Sequence, residues 1–256
     1  MTSVKRGAVH WASAYSSLEI LYSLYVRGVL KIDKENLNDA ARDRFVLSKG
    51  HAAIGMYAVM EYVGILEENE METFLTPGTR LSAEPCKRDL PWVEASSGSL
   101  GHGLPIGLGM ALSQKIKGSE RKTYVLVGDG ECQEGSVWEA AFAASAHKAD
   151  NLTVILDCNG LQKMNSTEET MNTVNWRAKW EAFGWQVDEV DGHDVNALCR
   201  ILGESNQKDR PRIVIAHTVK GHGVPTMEND ASWHFKIPKK KEMQSICREL
   251  EITEEL

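Results

Sequence analysis

The chain has 256 residues, of which 42% are hydrophobic and 25% charged, a composition typical of a globular domain with a substantial core. Its formal net charge of −7 argues against a nucleic-acid surface, because phosphate backbones are bound by basic patches. We find no apolar run as long as a membrane span, no signal peptide and no C-x-x-C pair among the five cysteines, so we expect a cytoplasmic protein with free thiols.

The predicted elements, in chain order, change from helical spacing to strand-helix alternation. A helix over 14–26 ends before Gly28, a short segment covers 44–48, and a second helix covers 52–62. Residues 75–98 form a loop, broken by prolines, and a Gly-rich helix follows over 103–117. Beyond it, apolar runs predict strands at 124–127, 152–156, 186–190 and 212–217, and helical spacing predicts helices at 136–147, 175–183 and 195–205.

Short apolar strands that alternate with helices predict an α/β fold, with a mostly parallel sheet covered by helices on both faces. We find no convincing linker and no internal repeat, so we expect one domain over residues 1–256. Ligands of such sheets bind outside the carboxyl ends of the strands. The residues that follow each strand are therefore the first candidates for a site.

Oxygen donors follow two neighbouring predicted strands. Gly128-Asp129-Gly130 comes directly after one strand; its glycines allow a sharp turn and close approach of a phosphate. Asn159 follows the next strand with an amide oxygen, and Leu161 adds a backbone carbonyl. Mg²⁺ combines a few protein oxygens with diphosphate oxygens, so this set suits a metal-bridged diphosphate. The tripeptide alone is also an ordinary turn, and the hypothesis depends on the spacing.

Asn159 follows Asp129 by 30 positions, which is one strand-helix-strand unit. This spacing resembles the signature of thiamine diphosphate enzymes, and residues 128–135, G-D-G-E-C-Q-E-G, are most similar to transketolases. The resemblance implies thiamine diphosphate as cofactor, held through Mg²⁺, or Ca²⁺ or Mn²⁺ in its place. It also implies that Gly128 and Gly130 lie against the cofactor, and that Asp129, Asn159 and Leu161 bind the metal.

Two further segments resemble transketolases. Residues 44–52, R-F-V-L-S-K-G-H-A, closely match the family's R-F-I-L-S-K-G-H-A, which implies that His51 is an active-site imidazole near the diphosphate. Residues 94–103, E-A-S-S-G-S-L-G-H-G, resemble the family's T-G-S-L-G-Q-G. There Gly98, Ser99 and Leu100 would line the cofactor. Without the resemblance, a lone histidine is more often structural, and a Gly/Ser-rich stretch is more often a plain loop.

The two ends of the chain show the same resemblance. Residues 218–234 resemble a family pattern in which T-x-K-G-x-G is followed by M-E and then W-H. The resemblance implies that Lys220 and His234 contact the diphosphate and that His234 also reaches the substrate. Residues 9–13 align with a segment that usually reads G-H-P-G-G-S, so His10 and Ser13 fall on active-site positions, and His10 is also assigned to the substrate. Trp11 stands where proline is usual. Taken alone, Lys220 would be a solvated charge after a strand.

Two glutamates have special interpretations. In the family the carboxylate at the position of Glu134 lies at the interface between subunits, against the partner glutamate that protonates the cofactor's aminopyrimidine. The alternative is that Glu134 is a solvated side chain on the first turn of a helix, where the helix dipole favours it. Glu84 falls where transketolases usually carry a histidine that binds the sugar's hydroxyl groups. An ionised carboxylate only accepts hydrogen bonds, so this departure predicts altered substrate specificity.

The resemblance covers residues from about 5 to 240, but only the diphosphate-binding half of a transketolase. The chain therefore resembles the N-terminal subunit of a split transketolase, which would transfer a ketol unit from a ketose phosphate to an aldose. We expect it to be inactive without a partner that carries the pyrimidine and C-terminal domains, in an α₂β₂ assembly. Exposed Trp and Met would serve the interface, although most of the seven Trp are expected in the core. Two alternatives stay open: a 2-oxo-acid dehydrogenase E1 or deoxyxylulose-phosphate synthase relative, and a non-catalytic cofactor-binding chain.

Overall fold

A five-stranded parallel sheet forms the centre of a computed structural model that describes residues 9–32, 34–40, 42–163, 165–171 and 175–252. The strands are β1 (Arg44–Leu47), β2 (Thr123–Gly128), β3 (Leu152–Cys158), β4 (Gln186–Asp191) and β5 (Arg212–His217). Their order in the sheet is β1-β2-β3-β5-β4, and every neighbouring pair is parallel. The predicted α/β class with a parallel sheet is confirmed.

The helices within these described ranges are α1 (Trp11–Tyr15), α2 (Leu18–Tyr25), α3 (Ala53–Tyr62), α4 (Gly103–Ile116), α5 (Gly135–Ala146), α6 (Thr167–Met171), α7 (Trp176–Ala182), α8 (Val195–Gly203) and α9 (Lys240–Glu249). Short 3₁₀ turns cover Gly50–Ala52, Glu70–Thr73, Glu131–Gln133 and Ala231–Trp233. No described helix is both long and apolar enough to cross a lipid bilayer.

Helices cover both faces of the sheet, because alternate side chains of each buried strand point to opposite sides. Leu126 of β2 packs in one apolar cluster with residues of α2, α3 and α8. Its neighbours Val125 and Val127 pack in a second cluster with residues of α4, α5 and α7. With both faces buried, the carboxyl ends of the strands are left to form a site.

One sequence expectation is wrong, and strand β1 and helices α6 and α9 were not assigned from the sequence. The single helix over 14–26 is wrong: the structure has α1 and α2, separated at Ser16 and Ser17. The Ser17 hydroxyl donates to the carbonyls of Ser13 and Ala14, and such side-chain bonds compete with helical backbone pairing. The segment 44–48 is strand β1, too short to show a period. Helix α9 was not predicted, because its sequence is dominated by charged and polar residues.

The tryptophans are core and not surface residues. Trp180 and Trp185 are fully buried, and all seven Trp are buried or half-buried, so the expected exposed Trp is not found. The large apolar side chains with the highest exposure are instead Ile116, Tyr62 and Phe142. Met171 is exposed, as expected for methionine.

Candidate active site

A cleft of about 340 Å³ opens at the carboxyl ends of β1, β2, β3 and β5. Most of the predicted site residues line it: His10, Ser13, His51, Glu84, Gly98, Leu100, Gly128, Asp129, Gly130, Asn159, Leu161, Lys220 and His234. Further lining residues that the sequence interpretation missed are Lys49, Glu131, Gln133, Gln162 and Lys163. Two predicted residues, Ser99 and Glu134, are exposed and do not line the cleft.

Asp129 is held by the two glycines that adjoin the strand ends. Its carboxylate accepts the backbone N–H of Gly130 at 2.7 Å and that of Gly160 at 2.6 Å, which connects the loops after β2 and β3. Asp129 is 2% exposed. Burial, and then the nearby Asp157 carboxylate, raise the pKa of Asp129 to about 6. A buried carboxylate in this state is stabilised by a cation.

Asn159 and Leu161 complete an all-oxygen set beside Asp129. The amide oxygen of Asn159 accepts the backbone N–H of Leu161 at 3.1 Å, which directs this oxygen along the loop after β3. The carbonyl of Leu161 accepts the ammonium group of Lys220 at 3.1 Å. Carboxylate, amide and carbonyl oxygens are the ligands that Mg²⁺ and Ca²⁺ prefer, so the donor chemistry fits a hard cation.

A buried ion pair lies beneath this set. Asp157, at the end of β3, is 0% exposed and accepts from Lys49, from the Thr218 hydroxyl and, at 2.7 Å, from the Ser16 hydroxyl. Lys49 also donates to the carbonyl of Ser13 at 3.1 Å. Burial alone would raise the pKa of Asp157, but Lys49 and the hydroxyls outweigh it, and the pKa lies below its ordinary value. The sequence signal was one acid inside an apolar strand.

Lys220 is the second buried ammonium group and is 1% exposed. Besides Leu161, its Nζ contacts Nδ1 of His234 at 3.1 Å. The next residue, Gly221, has φ +79°, and a Cβ there would meet the carbonyl oxygen of Met227 at 2.6 Å, so only glycine fits. Burial, and then repulsion from Lys49, lower the pKa of Lys220 to about 8.

Three imidazoles from distant parts of the chain meet in the cleft. The ring centroid of His10 lies 5.0 Å from that of His51 and 5.0 Å from that of His234. Burial, and then Lys220, lower the pKa of His10 to about 4 and that of His234 to about 3. Burial, and then Lys49, hold the pKa of His51 well below its ordinary value. All three rings are therefore neutral at pH 7, where each can donate and accept.

Glu131 connects the Gly-rich segment 98–103 to the strand ends. It is 2% exposed; one carboxylate oxygen accepts from the Ser48 hydroxyl and from the N–H of Gly101 at 2.9 Å, and the other accepts from Gly128 N–H at 3.1 Å. The Ser48 hydroxyl in turn accepts from the N–H of Gly103 at 3.1 Å. This network positions Gly98 and Leu100 at the cleft.

The two predicted glutamates occupy different surroundings. Glu84 lines the cleft under Gly98, where an added Cβ would lie 3.4 Å from Glu84 Cγ. Glu134 is exposed at the start of α5, and a Cβ added to Gly101 would lie 2.6 Å from Glu134 Cβ. Glu134 is thus packed against the same Gly-rich segment, but on its outer side.

Comparison with known proteins places this arrangement among characterised relatives. The family profile described as "Transketolase, thiamine diphosphate binding domain" matches residues 3–254. The chain is 41% identical over 241 residues to an apulose-4-phosphate transketolase subunit of Actinobacillus succinogenes, a match that covers 94% of this chain and 87% of that relative. It is 38% identical to the transketolase of Homo sapiens over 95% of this chain but only 39% of that relative. The transketolase structure from Campylobacter jejuni superposes with a TM-score of 0.87 at 25% identity, over 96% of this chain and 40% of that one.

Proposed function

The chain belongs to the transketolase family, and on that premise we propose that it binds thiamine diphosphate in an enzyme that transfers a two-carbon ketol unit from a ketose phosphate to an aldose. The observation that carries the proposal is the meeting of Asp129, Asn159 and Leu161 with two buried lysines and three neutral imidazoles in one cleft. The chain spans about 40% of the solved transketolases, so the activity of the whole enzyme is proposed and not read from this chain alone.

Mg²⁺, or Ca²⁺ or Mn²⁺ in its place, would be held by Asp129, Asn159 and the carbonyl of Leu161. Lys220 now donates to that carbonyl. An ammonium group and a divalent cation compete for the same oxygen, so we propose that metal binding releases the Lys220 side chain. Its Nζ then turns to the diphosphate, where a flexible point charge suits a phosphate oxygen. Gly128 and Gly130 allow the diphosphate to approach the backbone.

Thiamine diphosphate supplies the carbon nucleophile that carries the two-carbon unit. The protein's part is to bind, orient and move protons. His10, His51 and His234 are neutral at pH 7, so each can donate to or accept from a sugar hydroxyl and orient it for proton transfer. Ser13 lies beside them in the cleft, and its carbonyl also holds Lys49.

Gly98, Ser99 and Leu100 are proposed as the wall for the cofactor's rings. Leu100 and Gly98 face the cleft, and Ser99 faces solvent. Glu84 lies under Gly98 and is proposed to accept hydrogen bonds from the substrate's hydroxyl groups.

The role of Glu84 has a direct test. In the complete enzyme, Glu84→His should change the ratio of kcat/KM between two ketose donors that differ at one hydroxyl, because donor and acceptor capacity change there. Glu84→Gln keeps the shape and removes the charge, which separates charge from hydrogen-bonding pattern. A ratio unchanged in both variants removes Glu84 from substrate recognition.

A second chain with the pyrimidine and C-terminal domains is proposed to cover the outer face of α4 and α5, in an α₂β₂ assembly. These helices pack side by side and expose Ile106 and Phe142, 38% and 69% respectively, and Glu134 at the start of α5 is also exposed. We propose that Glu134 contacts the partner's activating glutamate there. Two carboxylates in contact raise one pKa, so one of them can carry a proton.

Tyr62, which is 74% exposed at the end of α3, provides a matched control for a test of the α4–α5 surface. With the co-expressed partner, Phe142→Asp should weaken assembly, measured by gel filtration with light scattering, because a charge enters an apolar contact. Tyr62→Asp adds the same charge on the other helical layer and should leave assembly intact. Equal effects of both variants would reject this face.

The decisive assay uses the purified complex with thiamine diphosphate, Mg²⁺ and a panel of ketose phosphate donors that includes apulose 4-phosphate, the sugar in the names of two of the relatives. We expect ketol transfer from at least one donor, and none from this chain alone. Calorimetry should show that Asp129→Ala abolishes Mg²⁺-dependent cofactor binding. Cofactor binding without turnover of any donor would favour the non-catalytic alternative.

Two broader proposals accompany this function. Residues 1–256 form one domain, supported by two apolar clusters that share the same sheet. The enzyme acts in the cytoplasm, supported by Cys86, Cys132, Cys158 and Cys199, none of which forms a disulfide. Limited proteolysis that yields two stable fragments would reject the first, and export of the native protein from the cell would reject the second.

A further inference from the structure

A second group of ligating side chains lies outside the cleft. Glu19 of α2, His193 after β4 and His222 after β5 offer ligand atoms that all lie within 4.8 Å of one another. None of the three lines the cleft. Among the described residues, no other three His, Cys, Asp or Glu side chains bring their ligand atoms this close together. We call it the Glu19 cluster.

Its ligand atoms lie close together on one side of helix α2. His193 Nδ1 lies 3.2 Å from one carboxylate oxygen of Glu19, and His222 Nε2 lies 4.0 Å from the other. The two rings are stacked, with centroids 3.6 Å apart and planes at 22°. Ligands of a tetrahedral Zn²⁺ lie about 3.3 Å apart. Because each imidazole lone pair lies in its ring plane, binding needs the two stacked rings to turn apart as well as this closer approach.

Two atoms of the cluster are buried and unsatisfied. Oε2 of Glu19 and Nδ1 of His193 have almost no solvent contact and no partner in hydrogen-bonding geometry, although they lie close together. Buried polar atoms without partners are rare in proteins because they cost free energy. A cation between them would satisfy both once the His193 proton has moved from Nδ1 to Nε2. From these atoms and this geometry we propose that the Glu19 cluster is a binding site for a divalent transition metal of the Zn²⁺ class.

The surroundings support the choice of metal. Two imidazoles and one carboxylate are a ligand set typical of Zn²⁺, with a fourth position for water, and are unsuited to Mg²⁺, which prefers oxygen. Nδ1 of His222 lies 3.5 Å from a carboxylate oxygen of Glu228, which itself accepts Gly223 N–H at 2.9 Å. A carboxylate beside Nδ1 favours the proton on that nitrogen, which leaves Nε2 free for a metal.

Metal binding at this site is coupled to the cleft through the second nitrogen of His193. Nε2 of this ring accepts the backbone N–H of Val219 at 2.8 Å. A neutral imidazole that binds a metal through Nδ1 carries its proton on Nε2, and two N–H donors cannot face each other. The loaded site therefore displaces the Val219 amide, and with it the adjacent Lys220.

The test of the site needs no thiamine diphosphate, so it stands apart from the proposed function. Zn²⁺ is titrated calorimetrically into the full chain with Mg²⁺ in excess, and Co²⁺ replaces it for visible spectroscopy. We expect one equivalent of Zn²⁺ bound and the Co²⁺ bands of a tetrahedral nitrogen-oxygen site. Glu19→Gln and His222→Ala should lose this binding, and Glu228→Gln should weaken it about 10- to 100-fold.

Two control variants separate this site from other histidines. His217→Ala removes an exposed imidazole that pairs with one carboxylate, Glu189, at 2.8 Å. His10→Ala breaks the three-imidazole group of the cleft. Both should keep the Zn²⁺ affinity of the wild type. No Zn²⁺ binding to the wild type, binding kept by Glu19→Gln and His222→Ala in their folded state, or binding lost in His10→Ala overturns the proposal.

The coupling has its own measurement. Zn²⁺ should lower the affinity for thiamine diphosphate with Mg²⁺, and by thermodynamic reciprocity the cofactor should lower the affinity for Zn²⁺ by the same factor. His222→Ala should remove both effects. Cofactor affinity that is the same with and without bound Zn²⁺ contradicts the displacement of Val219.

Discussion

Replacing Lys49 by methionine should be among the most destabilising single changes in this chain. Methionine keeps the length of the side chain but leaves Asp157, which is 0% exposed, without its ammonium partner. Breaking a buried ion pair by removing one partner costs about 3–5 kcal/mol, because the remaining charge is uncompensated. The hydroxyls of Ser16 and Thr218 still bind the carboxylate, so the lower half of this range is expected.

For a domain of this size, 1 kcal/mol corresponds to about 2–4 °C in Tm, so a loss of about 3–4 kcal/mol in Lys49→Met should lower Tm by about 6–16 °C. Unfolding can be followed by the fluorescence of the buried Trp180 and Trp185. The double variant Lys49→Met, Asp157→Asn removes the stranded charge and should recover about half of the loss.

A matched control is Lys148→Met, which breaks the exposed pair with Asp209, whose side chains are 62% and 44% exposed. Exposed pairs contribute about 0–1 kcal/mol, so its Tm should hardly move. The reasoning is refuted if the Lys49 and Lys148 variants lose the same stability, or if the double variant is as unstable as Lys49→Met.

Three further predictions concern the site and its supports. Gly103→Ala should destabilise the protein by about 1–3 kcal/mol, because its Cβ would lie 2.7 Å from Ser48 Cα. Gly109→Ala in the same helix has open space around it and should stabilise the protein by about 0.5–1 kcal/mol. Urea unfolding should show changes in the free energy of unfolding with opposite signs for the two variants. The pKa values of His10 and His234 are lowered to about 4 and about 3, so the stability linked to these neutral rings is fully present above the unfolded pKa of about 6.5 and is lost as the pH falls toward 4 and 3. Between pH 7 and pH 4.5 the urea midpoint should therefore fall less in the double variant His10→Gln, His234→Gln than in the wild type. An equal fall in both proteins would contradict this prediction. Glu131→Gln should lower the free energy of unfolding by about 1–3 kcal/mol and weaken cofactor binding, because an amide NH₂ would face N–H or O–H donors that now meet a carboxylate oxygen. An unchanged cofactor affinity in calorimetry would reject the role of the Glu131 hydrogen bonds.

Much of the fold could be predicted from local patterns. The eight strands and helices predicted between residues 103 and 217 lie within two residues of their observed bounds, because each apolar run is bounded by glycine or polar residues. Helices α6 and α9 were not predicted. The helix that became α1 and α2 was misjudged, because the break depends on hydroxyls whose partners include Asp157, 141 positions away from Ser16. Apolar periodicity carries no information about such contacts.

The sequence by itself determined the candidate metal site, because Asp129 and Asn159 follow neighbouring strands of one strand-helix-strand unit, and adjacent parallel strands end at the same edge. Only the tertiary structure decided what supports that site. Lys49 meets Asp157 across 108 positions, and Ser48 meets Glu131 across 83. The physical reason is that charge burial and hydrogen-bond partners depend on which strand ends lie side by side, and residue spacing along the chain does not specify them.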